Sequence, residues 1–164
     1  MQIDYFAVNL ALPRMAFDLK TTAPDLQWVI SVYMLALGAF VVPAGRIGDI
    51  FGRRRTLLAG VALFGLSSAL CALAPSATLV IAFRAVQGLG AALIFPVSVS
   101  VLTTAFPSAR ASHAIGLAYG IAGLGNAAGP LIGGLLTETA GWRWIFWLNV
   151  PLTLAVLGIG AQHH

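Results

Sequence analysis

Apolar residues fall into six blocks along the chain, separated by short polar connectors. The blocks cover residues 1–17, 26–47, 56–74, 77–106, 114–137 and 144–160. None shows the period-two alternation of barrel strands. Most reach the roughly 20 apolar residues that a helix needs to cross a bilayer. The first and last blocks are shorter and read as truncated spans. Asp25 is placed to cap the second helix. The connectors are too short for anything but side-by-side, antiparallel neighbours. The pattern therefore predicts an all-α membrane protein, a six-helix bundle forming a single transmembrane domain over residues 1–164.

Composition narrows the alternatives. The chain is 59% hydrophobic and 9% charged, with a mean hydropathy of +0.92. A water-soluble domain of this length cannot bury so much apolar surface, and a disordered chain would be far more polar. The single cysteine, Cys71, excludes a disulfide scaffold and reads as a small buried thiol. The net charge of +4 does not mark a nucleic-acid surface, because the only basic run is Arg53, Arg54 and Arg55, set between two apolar blocks.

That run instead orients the bundle. Connectors two–three and four–five carry Arg46, Arg53, Arg54, Arg55 and Arg110, and the opposite side carries Arg14, Lys20 and Arg143. The positive-inside rule then predicts a multi-pass protein of the cytoplasmic membrane with both termini in the cytoplasm. Trp142, Trp144 and Trp147 read as an interfacial aromatic anchor. No nucleophile–base pair, Walker loop or metal-ligand spacing occurs, and His163 and His164 alone define no metal site. Neither an enzyme nor a resident metal or cofactor is expected.

Several residues carry candidate chemistry. Asp4 and Arg84 are ionisable groups inside apolar blocks, where a charge costs roughly 2.5–3.5 kcal/mol unless it is paired or lines a polar cavity. Arg84 reads either as an electrostatic partner or as a hydrogen-bond hub to backbone carbonyls, and Asp4 as a proton site or an interfacial residue. Gln87 and Gly88 follow Arg84 at helical spacing and share its face. Gln87 is placed to bond substrate or a neighbouring helix. Gly45, Gly48, Asp49, Gly52, Arg53, Arg54 and Arg55 form a tight connector that reads as a conformational clamp or as a charged turn. In the fifth block Gly116, Gly120, Gly125, Gly129 and Gly133 make small-residue stripes suited to close helix packing, and Pro130 adds a kink.

These residues also form five ordered patterns. The clamp residues resemble the loop two–three signature of the major facilitator superfamily. The run from Ile3 through Asp4 and Asn9 to Pro13 is similar to the first-helix signature of its proton-driven, drug-exporting branch with fourteen helices, with Phe6 where threonine is frequent. Arg84, Gln87, Gly88 and Gly90 resemble the fourth-helix arginine motif. Gly125, Gly129, Pro130, Gly133 and Gly134 resemble the antiporter motif, and the run from Gly141 to Pro151 resembles the start of that branch's sixth helix.

The resemblance implies an N-terminal half built from two inverted three-helix repeats. It further implies proton-coupled efflux of small amphipathic compounds by alternating access, within a larger transporter and with the proton gradient as energy source. Asp4 and Arg84 become proton-coupling candidates, and Asn9 and Gln87 candidates for the substrate cavity. The implied partners are the lipid bilayer, a small-molecule substrate, and either the missing C-terminal half or a homo-oligomer. A metabolite or sugar transporter of the same superfamily, and a non-transporting membrane fragment, are the alternatives.

Overall fold

The computed structural model describes the backbone of residues 2–162 and the side chains of 6–22 and 24–162. Six helices follow one another: α1 (Gln2–Asp18), α2 (Ala23–Phe51), α3 (Arg53–Leu73), α4 (Ala77–Ala105), α5 (Ser108–Thr139) and α6 (Arg143–Gln162). No strand occurs among the described residues. The last five helices are long and apolar enough to cross a membrane, and α1, with 17 residues, is not among them. The last helix is longer than its apolar block: α6 has 20 residues and reaches span length. Polar first and last turns are helical here because a helix end satisfies more backbone groups than an open loop would.

The same economy shrinks the connectors. Between α2 and α3 only Gly52 is non-helical, at φ +97°. A side chain is strained at that dihedral, and glycine is not. The clamp residues are therefore not a loop: Gly45, Gly48 and Asp49 end α2, and Arg53, Arg54 and Arg55 begin α3. Gly141, also at φ +97°, closes α5 by turning its N–H back to the Leu136 carbonyl at 2.7 Å. Ser76 caps α4 by accepting from the Leu79 N–H. Asp25 does not cap α2; Thr22 holds the N-cap position, and Asp25 lies in the first turn.

Packing follows an inverted repeat. Exchanging α1–α3 with α4–α6 carries the α1–α5 contact onto the α4–α2 contact and the α3–α6 contact onto itself. The match is not complete, because α3 lies along α4 far more extensively than α6 lies along α1. The main core gathers Val8, Met15, Leu26, Val29, Trp142 and Phe146, with Tyr33, Phe64 and Ala91 forming a second cluster.

Glycine sets the closest approaches. A Cβ on Gly88 would stand 2.6 Å from the Tyr33 carbonyl oxygen, so α2 and α4 touch backbone to side there. Overpacking of this kind costs about 1–3 kcal/mol. Gly88→Ala is therefore expected to lower the thermal midpoint of the purified protein, whereas Gly120→Ala, which meets nothing within 4 Å, leaves it unchanged or slightly raised.

Candidate functional site

The centre of the bundle holds a cation. Arg84, the eighth of the 29 residues of α4, is fully buried. Its Nε donates to the Val29 carbonyl at 3.0 Å, and its Nη1 donates to Gln87 Oε1 at 2.8 Å. The guanidinium carbon sits 4.1 Å from the centre of the Tyr33 ring and 5.9 Å from that of Phe146. Three helices thus converge on one side chain: α2 through Val29 and Tyr33, α4 through Gln87, and α6 through Phe146. Hydrogen bonds to a charged group contribute about 1.5–3 kcal/mol each, and a desolvated cation–π contact about 2 kcal/mol. Together they offset the burial of the charge. Arg84 is thus tied to the Val29 carbonyl and to the Gln87 side chain.

The Gln87 amide is fully buried, and its Nε2 has no hydrogen-bond partner. A buried, unpaired donor beside a cation suits an incoming acceptor oxygen. A buried acceptor, Asn126 Oδ1, also lacks a partner, and it sits between Gly125 and Gly129 in α5. Sequence reasoning missed Tyr33, Phe146 and Asn126. A tyrosine or phenylalanine within an apolar block looks like any core or interface aromatic.

The structure does not bring the expected cavity residues into one cluster. Gln87 is inside the bundle, while Asn9 lies on an exposed face of α1. Asp4 belongs to α1, but its side chain lies outside the described residues, and so does any pairing with Arg84.

The residues read as a clamp or a charged turn lie where helix ends meet. Gly48 presses α2 against α4, where an added Cβ would stand 2.9 Å from Val97 Cγ2. Gly45 is looser, 3.8 Å from Pro96. Asp49 and Arg53 face each other across Gly52 at 3.9 Å, the first largely and the second partly exposed, so their attraction amounts to less than about 1 kcal/mol. They border a cavity of about 170 Å³ together with Pro96 and Val97. Arg54 donates to the Gly160 carbonyl in the last turn of α6.

The opposite end repeats this arrangement. Arg143, first residue of α6, donates from Nη1 to the Ala72 and Ala74 carbonyls at the end of α3, each at 2.8 Å. Its guanidinium carbon lies 4.4 Å from the centre of the Trp142 ring. Trp142 Nε1 in turn donates to Asp18 Oδ2 at 3.0 Å. Each helix of the antiparallel α3–α6 pair thus begins with an arginine that satisfies the orphan carbonyls ending the other. Further along the pair, nearer the Arg143 end, Asn149 Nδ2 donates to Ser68 Oγ at 3.1 Å, and Ser68 Oγ donates to the Phe146 carbonyl at 2.7 Å. Trp142 is only 1% exposed, so it is a buried peg and not the interfacial anchor expected of it. Trp144 is the exposed member of that cluster.

The glycines of α5 divide in two. Gly129 and Gly133 are buried, and a Cβ on Gly133 would stand 2.6 Å from Ala7 Cα. Gly134 is looser, 3.9 Å from Leu10. Gly116 and Gly120 meet nothing within 4 Å. The expected stripe therefore packs only in its second half, beside Pro130.

Comparison with known proteins agrees with this architecture. Residues 1–161 match the family model described as Major Facilitator Superfamily. The tetracenomycin C resistance and export protein of Streptomyces glaucescens is 41% identical over 158 residues, covering 96% of the chain and 29% of that protein. The multidrug resistance protein Stp of Mycobacterium tuberculosis is 41% identical over 156 residues, covering 94% and 29%. The cephamycin export protein CmcT of Amycolatopsis lactamdurans is 39% identical over 160 residues, covering 97% and 33%. The chain thus spans about a third or less of the length of these relatives.

The two kinds of arginine contact differ in expected weight. Arg143→Ala removes two charge-assisted bonds and a ring contact, so it lowers unfolding stability by about 2–4 kcal/mol. Arg53→Ala removes an exposed pair and changes stability by less than about 1 kcal/mol. Denaturant titration in detergent, followed by tryptophan fluorescence, separates the two.

Proposed function

The chain belongs to the major facilitator superfamily, and on that premise we propose that it forms part of a transporter exporting small amphipathic compounds in exchange for protons. The coarser statement, a multi-pass membrane protein of a transporter family, rests on the family match and the five span-length helices. The finer reading draws its support from one observation above others. A fully buried arginine with an unsatisfied amide donor beside it stands where three helices of an inverted repeat meet.

Such a site can serve both halves of an exchange. A fixed cation lowers the cost of an ionised carboxylate near it, so proton release from a carboxyl group there responds to what else occupies the site. Asp4 is the group assigned to that role. The Gln87 amide offers a donor to a substrate's carbonyl or hydroxyl oxygen. The relatives named for resistance and export of tetracenomycin C and cephamycin support an exported cargo. Because the chain spans a third or less of those relatives, the opposite wall of the cavity is assigned to further helices or to a second copy. The close seat of Gly133 on Ala7 joins α5 to α1 without a gap, which suits a leak-tight wall beside the Pro130 kink.

The clamp of helix ends fits the conformational side of this cycle. Its polar contacts are exposed and weak, so small differences in substrate or proton occupancy suffice to break them. Transport is tested in everted membrane vesicles loaded by a proton gradient, with a fluorescent organic cation as reporter. Arg84→Ala is expected to lower gradient-driven uptake at least tenfold. Asp4→Asn is expected to abolish its dependence on the gradient while reporter binding persists. Unchanged coupling in both variants removes the proposed roles.

A further inference from the structure

Beyond the transport site, the end of the bundle where α2 passes into α3 carries a groove of about 680 Å³. Its lining combines Arg53, Arg54 and Arg55 with Phe51, Leu58 and Ala161. Among the described residues, no acidic side chain lines it. Asp49 borders the neighbouring cavity on the α4 side and faces Arg53 alone. Arg54 spends a donor on the Gly160 carbonyl, out of the five N–H groups a guanidinium carries. Arg55 is exposed.

The chemistry of the groove selects its occupant. Closely spaced guanidinium groups match the oxygens of a phosphate. The apolar lining would be wasted on a free inorganic ion but suits an acyl chain. Ile47, Ile50 and Phe51, exposed by 40%, 74% and 66%, continue this apolar surface along α2. Arginines that meet a lipid-facing apolar surface at a helix end mark a headgroup level. A groove at the opposite end is different: there Arg14 is accompanied by Glu138, and no net positive field results.

We propose that this groove is a binding site for one anionic phospholipid, its phosphate on Arg54 and Arg55 and an acyl chain against Phe51 and Leu58. A zwitterionic lipid binds less well, because its ammonium group is repelled by the same arginines. The site is independent of the transport reading, and binding is measured without transport.

The test uses native mass spectrometry of the purified 164-residue chain in mild detergent with equimolar dioleoyl-phosphatidylglycerol and dioleoyl-phosphatidylcholine. The expected result is one retained phosphatidylglycerol per chain in preference to phosphatidylcholine, undisturbed by millimolar inorganic phosphate. Arg55→Gln lowers that retention about fivefold, the size of one interfacial basic contact. Arg110→Gln, at the start of α5 on the same end of the bundle, leaves it unchanged. Ala161→Trp fills the groove while keeping all three guanidinium groups, and it lowers retention as well, so the proposal stays testable if Arg55→Gln fails to fold. Equal retention of both lipids, displacement by inorganic phosphate, an equal loss in Arg110→Gln, or full retention in Ala161→Trp overturns the site.

Discussion

Arg84 has no water to turn to. A guanidinium buried inside the bundle must take its hydrogen bonds from protein. The surrounding helices are placed to supply them. The Val29 carbonyl, the Gln87 amide and the rings of Tyr33 and Phe146 come from α2, α4 and α6. The glycine at position 88 is what lets α2 approach closely enough, since any Cβ there would strike the Tyr33 backbone. Charge, aromatic faces and the missing side chain therefore form one constraint.

The same low-dielectric logic governs the helix ends. Four carbonyls at every helix C-terminus lack an intrahelical partner. In the α3–α6 pair, arginines from the facing N-termini supply donors at both ends. The two pins differ in environment. Arg143 is stacked on a buried tryptophan that is itself tied to Asp18, whereas Arg54 sits exposed in the first turn of α3 beside the weak Asp49–Arg53 pair. One end of the pair is a fixed joint and the other is held by contacts that solvent and ions can reach. The contrast between the two ends follows from burial.

The outer surface obeys a different solvent. Leu117, Tyr119, Ile121 and Leu124 on α5 are all more than half exposed, and lipid imposes no penalty for that. Close packing is confined to Gly129 and Gly133, where α5 meets α1. Basic residues concentrate where this apolar surface ends, which is what gives the α2–α3 corner its electrostatic character.

The sequence by itself determined the number of helices, their order and their lipid-facing character, because hydropathy is a sum over local residues and needs no partner. It also marked Arg84 as a buried charge and Gly52 as a turn, since cost and dihedral freedom belong to single residue types. It did not determine what Arg84 touches. Val29, Tyr33 and Phe146 lie far from it along the chain, and nothing local distinguishes them from other apolar positions. The reciprocal arginine pins were hidden for the same reason: Arg54 and Arg143 read as topology signals until their partners across the bundle are known. The glycine stripe of α5 gave a period but not a neighbour, so only the fold decided that Gly133 packs and Gly120 does not. Helix packing brings distant segments together, and a contact made between segments is a property of neither one alone.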